Sequence, residues 1–280
     1  MPLAVYPGCS LTGSSREYME SVEQILKTFE IPYTFVEDWN CCGATAAHNL
    51  NRKVAEALPA RIIALAEKQG ADEILVPCAA CYNRLKSSQK KMDEDKVLKG
   101  QLSEMVGMPL DNGIKILNVL EVIEQSIVPK LNEKIQAPLN FKAACYYGCL
   151  LVRPGNVLNF DREEDPQSMD RIVEILGATP VKWSFKTECC GAGFTVSRTD
   201  IVSRLSGDIL IDAVEHGAQA LIVACPMCHA NLDMRRKDIE KATGRKFDIP
   251  VIYLTQAIGM ALGIDHQKLG LNRHFVPVSI

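Results

Sequence analysis

The sequence predicts an α/β protein of two tandem, pseudo-repeated domains, each with a parallel sheet and with cysteine ligands at the carboxyl edge of its strands. Three observations lead there: an internal repeat marked by cysteines, helical spacing of apolar residues between the marks, and short apolar runs that lead into cysteines. The cysteines are Cys9, Cys41, Cys42, Cys78, Cys81, Cys145, Cys149, Cys189, Cys190, Cys225 and Cys228. Their gaps read C-x31-CC-x35-C-x2-C in the first half and, from Cys149, C-x39-CC-x34-C-x2-C in the second. A repeat of this length points to two copies of one structural unit.

The flanking residues repeat with them. Tyr6-Pro7-Gly8-Cys9 matches Tyr146-Tyr147-Gly148-Cys149, and Cys41-Cys42-Gly43-Ala44 matches Cys189-Cys190-Gly191-Ala192. Tyr82-Asn83-Arg84-Leu85 follows the first C-x2-C where His229-Ala230-Asn231-Leu232 follows the second. The boundary falls near Gln136–Asn140, so the expected domains are residues 1–137 and 138–280.

Between the marks, Val22, Ile25, Leu26 and Phe29 share one helical face, as do Val54, Leu58, Ile62 and Leu65. Ile172, Ile175 and Leu176, then Ile201, Leu205 and Ile209, repeat the pattern. The apolar runs before Cys9, Cys78, Cys145 and Cys225 read as buried parallel strands. Lys86–Lys99 reads as a solvated helix face. Cysteines at strand-to-helix junctions would lie where such sheets place ligands, with the following helix N-termini favouring negative charge.

Composition narrows the chemistry. With 47% hydrophobic and 23% charged residues among 280, the chain has the material for sizeable cores. A net charge of −3 gives no sign of nucleic-acid binding. The start of the chain lacks the features of a signal peptide, and Ala220–Ala224, among the longest apolar runs, is too short for a transmembrane segment. A cytoplasmic protein is the expectation. In a reducing compartment, eleven cysteines argue for metal or redox chemistry over a disulfide framework.

Thiolates at C-x2-C spacing suit zinc, iron–sulfur clusters or redox-active dithiols. A structural zinc needs four ligands, and each half offers five. Adjacent side chains in an extended Cys-Cys pair point apart, reaching two metal atoms more easily than one. Iron–sulfur binding is therefore favoured, with zinc and a pure dithiol relay still open.

On this doubled pattern the chain resembles the CCG cysteine-rich domain family over nearly its whole length, and within it the B subunit of heterodisulfide reductase. The resemblance implies one noncubane [4Fe-4S] cluster per half. One would sit on Cys9, Cys41, Cys42, Cys78 and Cys81, the other on Cys149, Cys189, Cys190, Cys225 and Cys228. It further implies a disulfide oxidoreductase that reduces or forms a disulfide of small thiols between the two clusters. The implied partners are the ferredoxin-like subunit and the flavin-containing subunit of a heterodisulfide reductase-type complex. Related domains serve in lactate, glycolate, glycerol-3-phosphate and quinone-linked succinate and fumarate enzymes. An electron-transfer subunit of such a quinone-linked or a sulfur-oxidising complex, without a thiol substrate of its own, is the alternative. A zinc-stabilised scaffold is a further one. No flavin or nucleotide is expected on this chain, because Gly191-Ala192-Gly193 lacks the third glycine of a nucleotide fingerprint.

Other residues carry narrower expectations. His48 and His229 are candidate proton donors, against a plainer reading as surface or supporting residues. Lys182 and Lys186 could meet substrate anions, against the plainer expectation of solvated lysines. Gly43, Gly191 and Gly193 are expected to allow close approach or positive φ. Cys145, with no counterpart in the first half, reads as a buried strand cysteine. Leu150 stands where the methanogen members of the family lead one to expect a histidine, which leaves the substrate open.

Overall fold

The short apolar runs do become strands. In the computed structural model, which describes residues 3–44, 47, 51–111 and 113–280, they form two four-stranded sheets. The first holds β1 (Leu3–Val5), β2 (Tyr33–Phe35), β3 (Glu73–Leu75) and β4 (Lys115–Leu117) in the order β2-β1-β3-β4, all parallel. The second holds β5 (Lys142–Tyr146), β6 (Thr179–Pro180), β7 (Ala220–Val223) and β8 (Val251–Tyr253) in the order β6-β5-β7-β8, again parallel. The two halves share one topology.

That topology places the cysteines. β1 and β3 are neighbours, with Val5 opposite Leu75, yet β1 leads on to β2 on one side and β3 to β4 on the other. Their carboxyl ends therefore open a crevice at a reversal of strand order, the place where open parallel sheets bind ligands. Cys9 follows β1 and Cys78 follows β3; Cys149 and Cys225 follow β5 and β7, where Tyr146 lies opposite Val223.

Helices return the chain between strands. The first lobe has α1 (Gly8–Thr12), α2 (Arg16–Thr28), α3 (Arg52–Lys68), α4 (Ala79–Glu94), α5 (Lys96–Val106) and α6 (Val119–Val122), which continues through a π-helical turn at Ile123–Ile127 into α7 (Val128–Leu131). Asn51 and Asp95 cap α3 and α5 by accepting two backbone N–H groups each, and Asn118 with Glu121 forms a capping box on α6. The second lobe has α8 (Gly155–Leu158), α9 (Ser168–Ile175), α10 (Thr199–Glu215), α11 (Pro226–His229), α12 (Arg236–Thr243) and α13 (Leu254–Ala261), with a π-helical turn at Ala230–Met234 between α11 and α12.

Two helix faces differ from the spacing. The α2 face of Val22, Ile25, Leu26 and the following Phe29 is buried as expected. In α3, however, Val54 is exposed and Leu58 half-buried, while Ala55, Ala60, Ile62 and Ile63 turn inward. In α10 the buried side is Val202, Ser206, Ile209 and Leu210, one residue on from Ile201 and Leu205. In both helices small residues at the inner positions let neighbouring elements approach closely, a preference that apolar spacing does not register.

One continuous apolar core runs through both lobes. At their junction α2 lies on α13: Ser21 Oγ and Thr255 Oγ1 are 2.6 Å apart, and the Tyr18 and Tyr253 rings stack at 4.0 Å with planes 2° apart. On the other side α4 reaches across, Asn83 Nδ2 donating to Arg153 O at 2.7 Å and Lys90 Nζ to Asn156 O at 2.6 Å. The Lys86–Lys99 stretch is thus solvated along one face and docked to the second lobe along another.

Candidate metal centre

Each lobe brings its five cysteines to the carboxyl edge around a buried tyrosine. Burial first, and then the charges of Cys81, Cys42, Cys41 and Cys9, push the Tyr6 phenol far above its ordinary value. Tyr146 is pushed up in the same way by burial and by Cys190, Cys228, Cys149 and Cys189. Tyr6 donates to Asn40 O at 2.9 Å and Tyr146 to Glu188 O at 2.6 Å, so each tethers the residue before its Cys-Cys pair. The next residues turn sharply. Gly43 (φ 77°) and Gly191 (φ 80°) are left-handed, and their N–H groups donate back to Cys41 Sγ at 3.4 Å and Cys189 Sγ at 3.3 Å. Gly193 is different: its φ is not positive and a side chain there would meet nothing within 4 Å.

The thiols of the two lobes touch. Cys42 Sγ lies 3.0 Å from Cys81 Sγ, and Cys190 Sγ 3.6 Å from Cys228 Sγ, both well beyond the roughly 2.05 Å of a disulfide. Cys42 also contacts Cys41, Cys81 contacts Cys78, and Cys225 contacts Cys228. Cys78 and Cys225, each the first cysteine of its C-x2-C, meet across the lobe junction. Seven thiols from Cys41 to Cys190 therefore form one unbroken series.

Crowding decides their charge. Cys42 accepts from Cys41 and Cys81 and is drawn down to about 4, helped by the Arg84 charge. Cys81, donating to Cys42, is pushed well up, as is Cys78, which donates to Cys225. Cys225, accepting from Cys228 and Cys78, is pulled well down. Protons alone thus favour thiolates at Cys42 and Cys225 among neutral thiols. Full ionisation of five clustered donors per lobe needs compensating positive charge, which iron atoms bridged by sulfide would supply. The donor set fits such a cluster better than a four-ligand zinc.

Some expected residues lie elsewhere. Cys145 is fully buried on β5, opposite Ile222, with its carbonyl accepting from Trp183 Nε1 at 3.2 Å. Lys182 is exposed, but Lys186 is not the solvated lysine expected: it is buried, 2.9 Å from Asp170 and 3.2 Å from Asp165. Tyr147, filling the place of Pro7, donates to the same Asp170 at 2.7 Å, so this lysine neutralises a buried carboxylate instead of meeting an anionic ligand. His48 lies outside the described residues. His229 is buried, its Nε2 3.0 Å from Val251 O and its ring stacked on Tyr253 at 4.4 Å. Facing a carbonyl, Nε2 is assigned the proton. Burial, and then the His274 charge, pull the ring well below the ordinary histidine value and favour its neutral form. His274 and Asp233 lie close by, but Asp233 accepts from Phe275 N and Val276 N and fastens the last segment of the chain.

Sequence reasoning passed over Arg84 and Asn231, which occupy one repeat position. Arg84 lends charge to Cys42; Asn231 Nδ2 donates to Cys190 O at 3.0 Å and approaches its Sγ at 3.6 Å. Both stand three residues after a C-x2-C, on the helical face that carries the second cysteine.

The family known as the CCG cysteine-rich domain matches residues 3–86 and 143–233, once in each lobe. The chain belongs to this family. The CCG chain is 31% identical over 277 residues to the 8-methylmenaquinol:fumarate reductase membrane anchor subunit of Wolinella succinogenes, spanning 98% of this chain and 96% of that one. It is 28% identical over 289 residues to the B subunit of the ferredoxin:CoB-CoM heterodisulfide reductase of Methanosarcina mazei, spanning 98% and 93%. Family and relatives make it an iron–sulfur oxidoreductase of the heterodisulfide reductase kind. Among solved structures, a hypothetical protein from Helicobacter pylori shares the fold, with a TM-score of 0.79 at 13% identity over 99% of this chain and 52% of that one. The CCG chain thus spans about half the length of that structure. Among the described residues no helix is long and apolar enough to cross a membrane.

Proposed function

We propose that this chain is the catalytic iron–sulfur subunit of a heterodisulfide reductase-type complex. It carries two noncubane [4Fe-4S] clusters and breaks or forms a disulfide of small thiols between them. In this reading residues 1–137 hold one cluster on Cys9, Cys41, Cys42, Cys78 and Cys81. Residues 138–280 hold the other on Cys149, Cys189, Cys190, Cys225 and Cys228. The observation that carries the reading is the direct meeting of the two cysteine sets at Cys78 and Cys225. A disulfide takes two electrons and two protons to become two thiols, and two one-electron centres in contact meet that need.

The clusters would supply the electrons and a soft iron site for each sulfur. The residues around them hold the thiol ligands in register, through Tyr6 and Tyr146, and keep water from the buried members. A cavity of about 700 Å³ is lined by Ala44, Ala80, Arg84 and Leu150, which stand close in sequence to cysteines of both sets, and is the approach we assign to the thiol substrate. Electrons would come from a ferredoxin-like partner and a flavin-containing one, because this chain offers no nucleotide fingerprint. A cytoplasmic location is part of this reading.

A second reading is favoured by a specific pair of observations. The fumarate reductase relative is 31% identical, and Leu150, 39% exposed beside Cys149, presents an apolar side chain to the cavity. An electron-transfer subunit with no thiol substrate would suit both. Electron paramagnetic resonance of the anaerobically purified, oxidised chain separates the two. A signal that appears only with added thiol is expected for the catalytic reading, and a spectrum indifferent to thiols would replace it with the relay.

A further inference from the structure

The Tyr18 hydroxyl stands at a point where a single group reaches both lobes. The side chain comes from α2 of the first lobe and is fully buried. Its oxygen lies 3.3 Å from Pro77 O and 3.2 Å from Ala224 O. These two carbonyls occupy the same repeat position, directly before Cys78 and Cys225, and those cysteines begin α4 and α11. One O–H proton is shared between two acceptors in a three-centre hydrogen bond. Peptide planarity passes the orientation of each carbonyl to the N–H and Cα of the cysteine that follows.

We propose that Tyr18 is a positioning residue for both metal centres at once, its hydroxyl fixing the distance and angle between the Cys78 and Cys225 junctions. The inference rests on the two-cluster reading and deepens it. A two-electron bond cleavage shared by two centres requires that their separation not drift, and Cys78 and Cys225 are where the centres meet. The ring adds to the clamp, since Tyr18 stacks on Tyr253 and Tyr253 on His229, the residue after Cys228. Burial, and then the charges of Cys225 and Cys78, keep the phenol protonated and therefore a donor. Tyr6 and Tyr146 are built-in controls. They also donate to carbonyls beside cysteines, but each bond stays within one lobe.

The test compares Tyr18→Phe, Tyr6→Phe and Tyr146→Phe in the full-length, anaerobically purified chain, by redox titration followed with electron paramagnetic resonance and by hydrogen exchange. Tyr18→Phe removes one oxygen and leaves the ring stack. We expect it to retain iron, to shift the midpoints of both centres, and to speed amide exchange at residues 78–82 and 225–229 together. A change of about fivefold corresponds to one net hydrogen bond. Tyr6→Phe should move only the first centre and Tyr146→Phe only the second. Unchanged midpoints and unchanged exchange in Tyr18→Phe, or a change confined to one lobe, would overturn the proposal. If the wild type itself held no iron, the cluster reading would fall and exchange would decide the clamp alone. Faster exchange at both segments supports it, and no change at either sinks it.

Discussion

The two cysteine cages share a scaffold and differ in what surrounds the sulfur. In the first lobe Cys42 is the favoured thiolate, drawn down to about 4 between two thiol donors with the Arg84 charge nearby. In the second the favoured thiolate of the adjacent pair is Cys189, drawn down to about 6 by the Cys149 thiol and then by the N–H groups of Gly191 and Ala192. Cys190 there sits farther from its partner, 3.6 Å against 3.0 Å, and its neighbour at the repeat position is the neutral Asn231. Strand order and glycine turns set where sulfur goes. Single substitutions in the helix after each C-x2-C set the field it feels. In the proposed two-cluster reading, two centres on one template could thus hold different potentials.

The largest expected effect removes one side of the pair. Cys41→Ser and Cys190→Ser should each lose one centre and halve the iron content, with loss of any thiol-dependent signal. Cys145→Ser, inside β5, should leave the iron content unchanged. Iron lost from the Cys145 variant would show that the second cage is wrongly drawn.

A smaller effect separates the lobes by stability. Lys186 and Asp170 are both nearly buried, and the first lobe places Pro7 where the second places Tyr147. Lys186→Met leaves the buried Asp170 carboxylate without its cationic partner, with the Tyr147 hydroxyl still donating to it. It should cost about 3 kcal/mol, read by chemical denaturation. No loss would mean that the ion pair adds nothing beyond packing.

Exchange of the repeat position sharpens the electrostatic difference. Arg84→Asn removes positive charge near Cys42, so the reduced first centre loses stabilisation and its midpoint should fall. The shift should be on the order of 60 mV, about one tenfold step for a one-electron couple. Asn231→Arg should raise the second midpoint. A shift of the wrong sign in either variant would remove Arg84 as the source of the asymmetry.

The smallest effect is one of reactivity in cluster-free protein. Cys41 and Cys189 are matched and both exposed, but Cys41 is pushed far up, chiefly because its thiol donates to Cys42. Cys189, with its value near 6, is already thiolate at about pH 7, and its alkylation by iodoacetamide should slow only as pH falls through that value. Cys41 should still be gaining reactivity above the ordinary thiol value of 9.0. Equal rates at neutral pH would contradict the assignment.

Much of this arrangement is legible in the sequence because a parallel strand leaves a plain mark: Ala220–Val223 before Cys225 repeats Glu73–Leu75 before Cys78. The cysteine gaps carry the pairing of the halves, and Tyr6-Pro7-Gly8 against Tyr146-Tyr147-Gly148 marks the turns. What periodicity misses is close packing. Val54 has the spacing of a core residue and lies outside, because Ala55 and Ala60 let α3 settle nearer its neighbours. Lys186 reads as a surface lysine, since its partners Asp165 and Asp170 lie many residues upstream and meet it only through the fold. Tyr18 leaves no local mark, because its hydroxyl answers to Pro77 and Ala224, and the second of these is 206 residues away.

The central claim is that two five-cysteine cages hold iron–sulfur centres in contact through Cys78 and Cys225. Iron, zinc and acid-labile sulfide measured on the anaerobically purified chain test it most directly. The account predicts about eight irons per chain with matching sulfide, as two four-iron clusters require; zinc in both lobes without iron would contradict it.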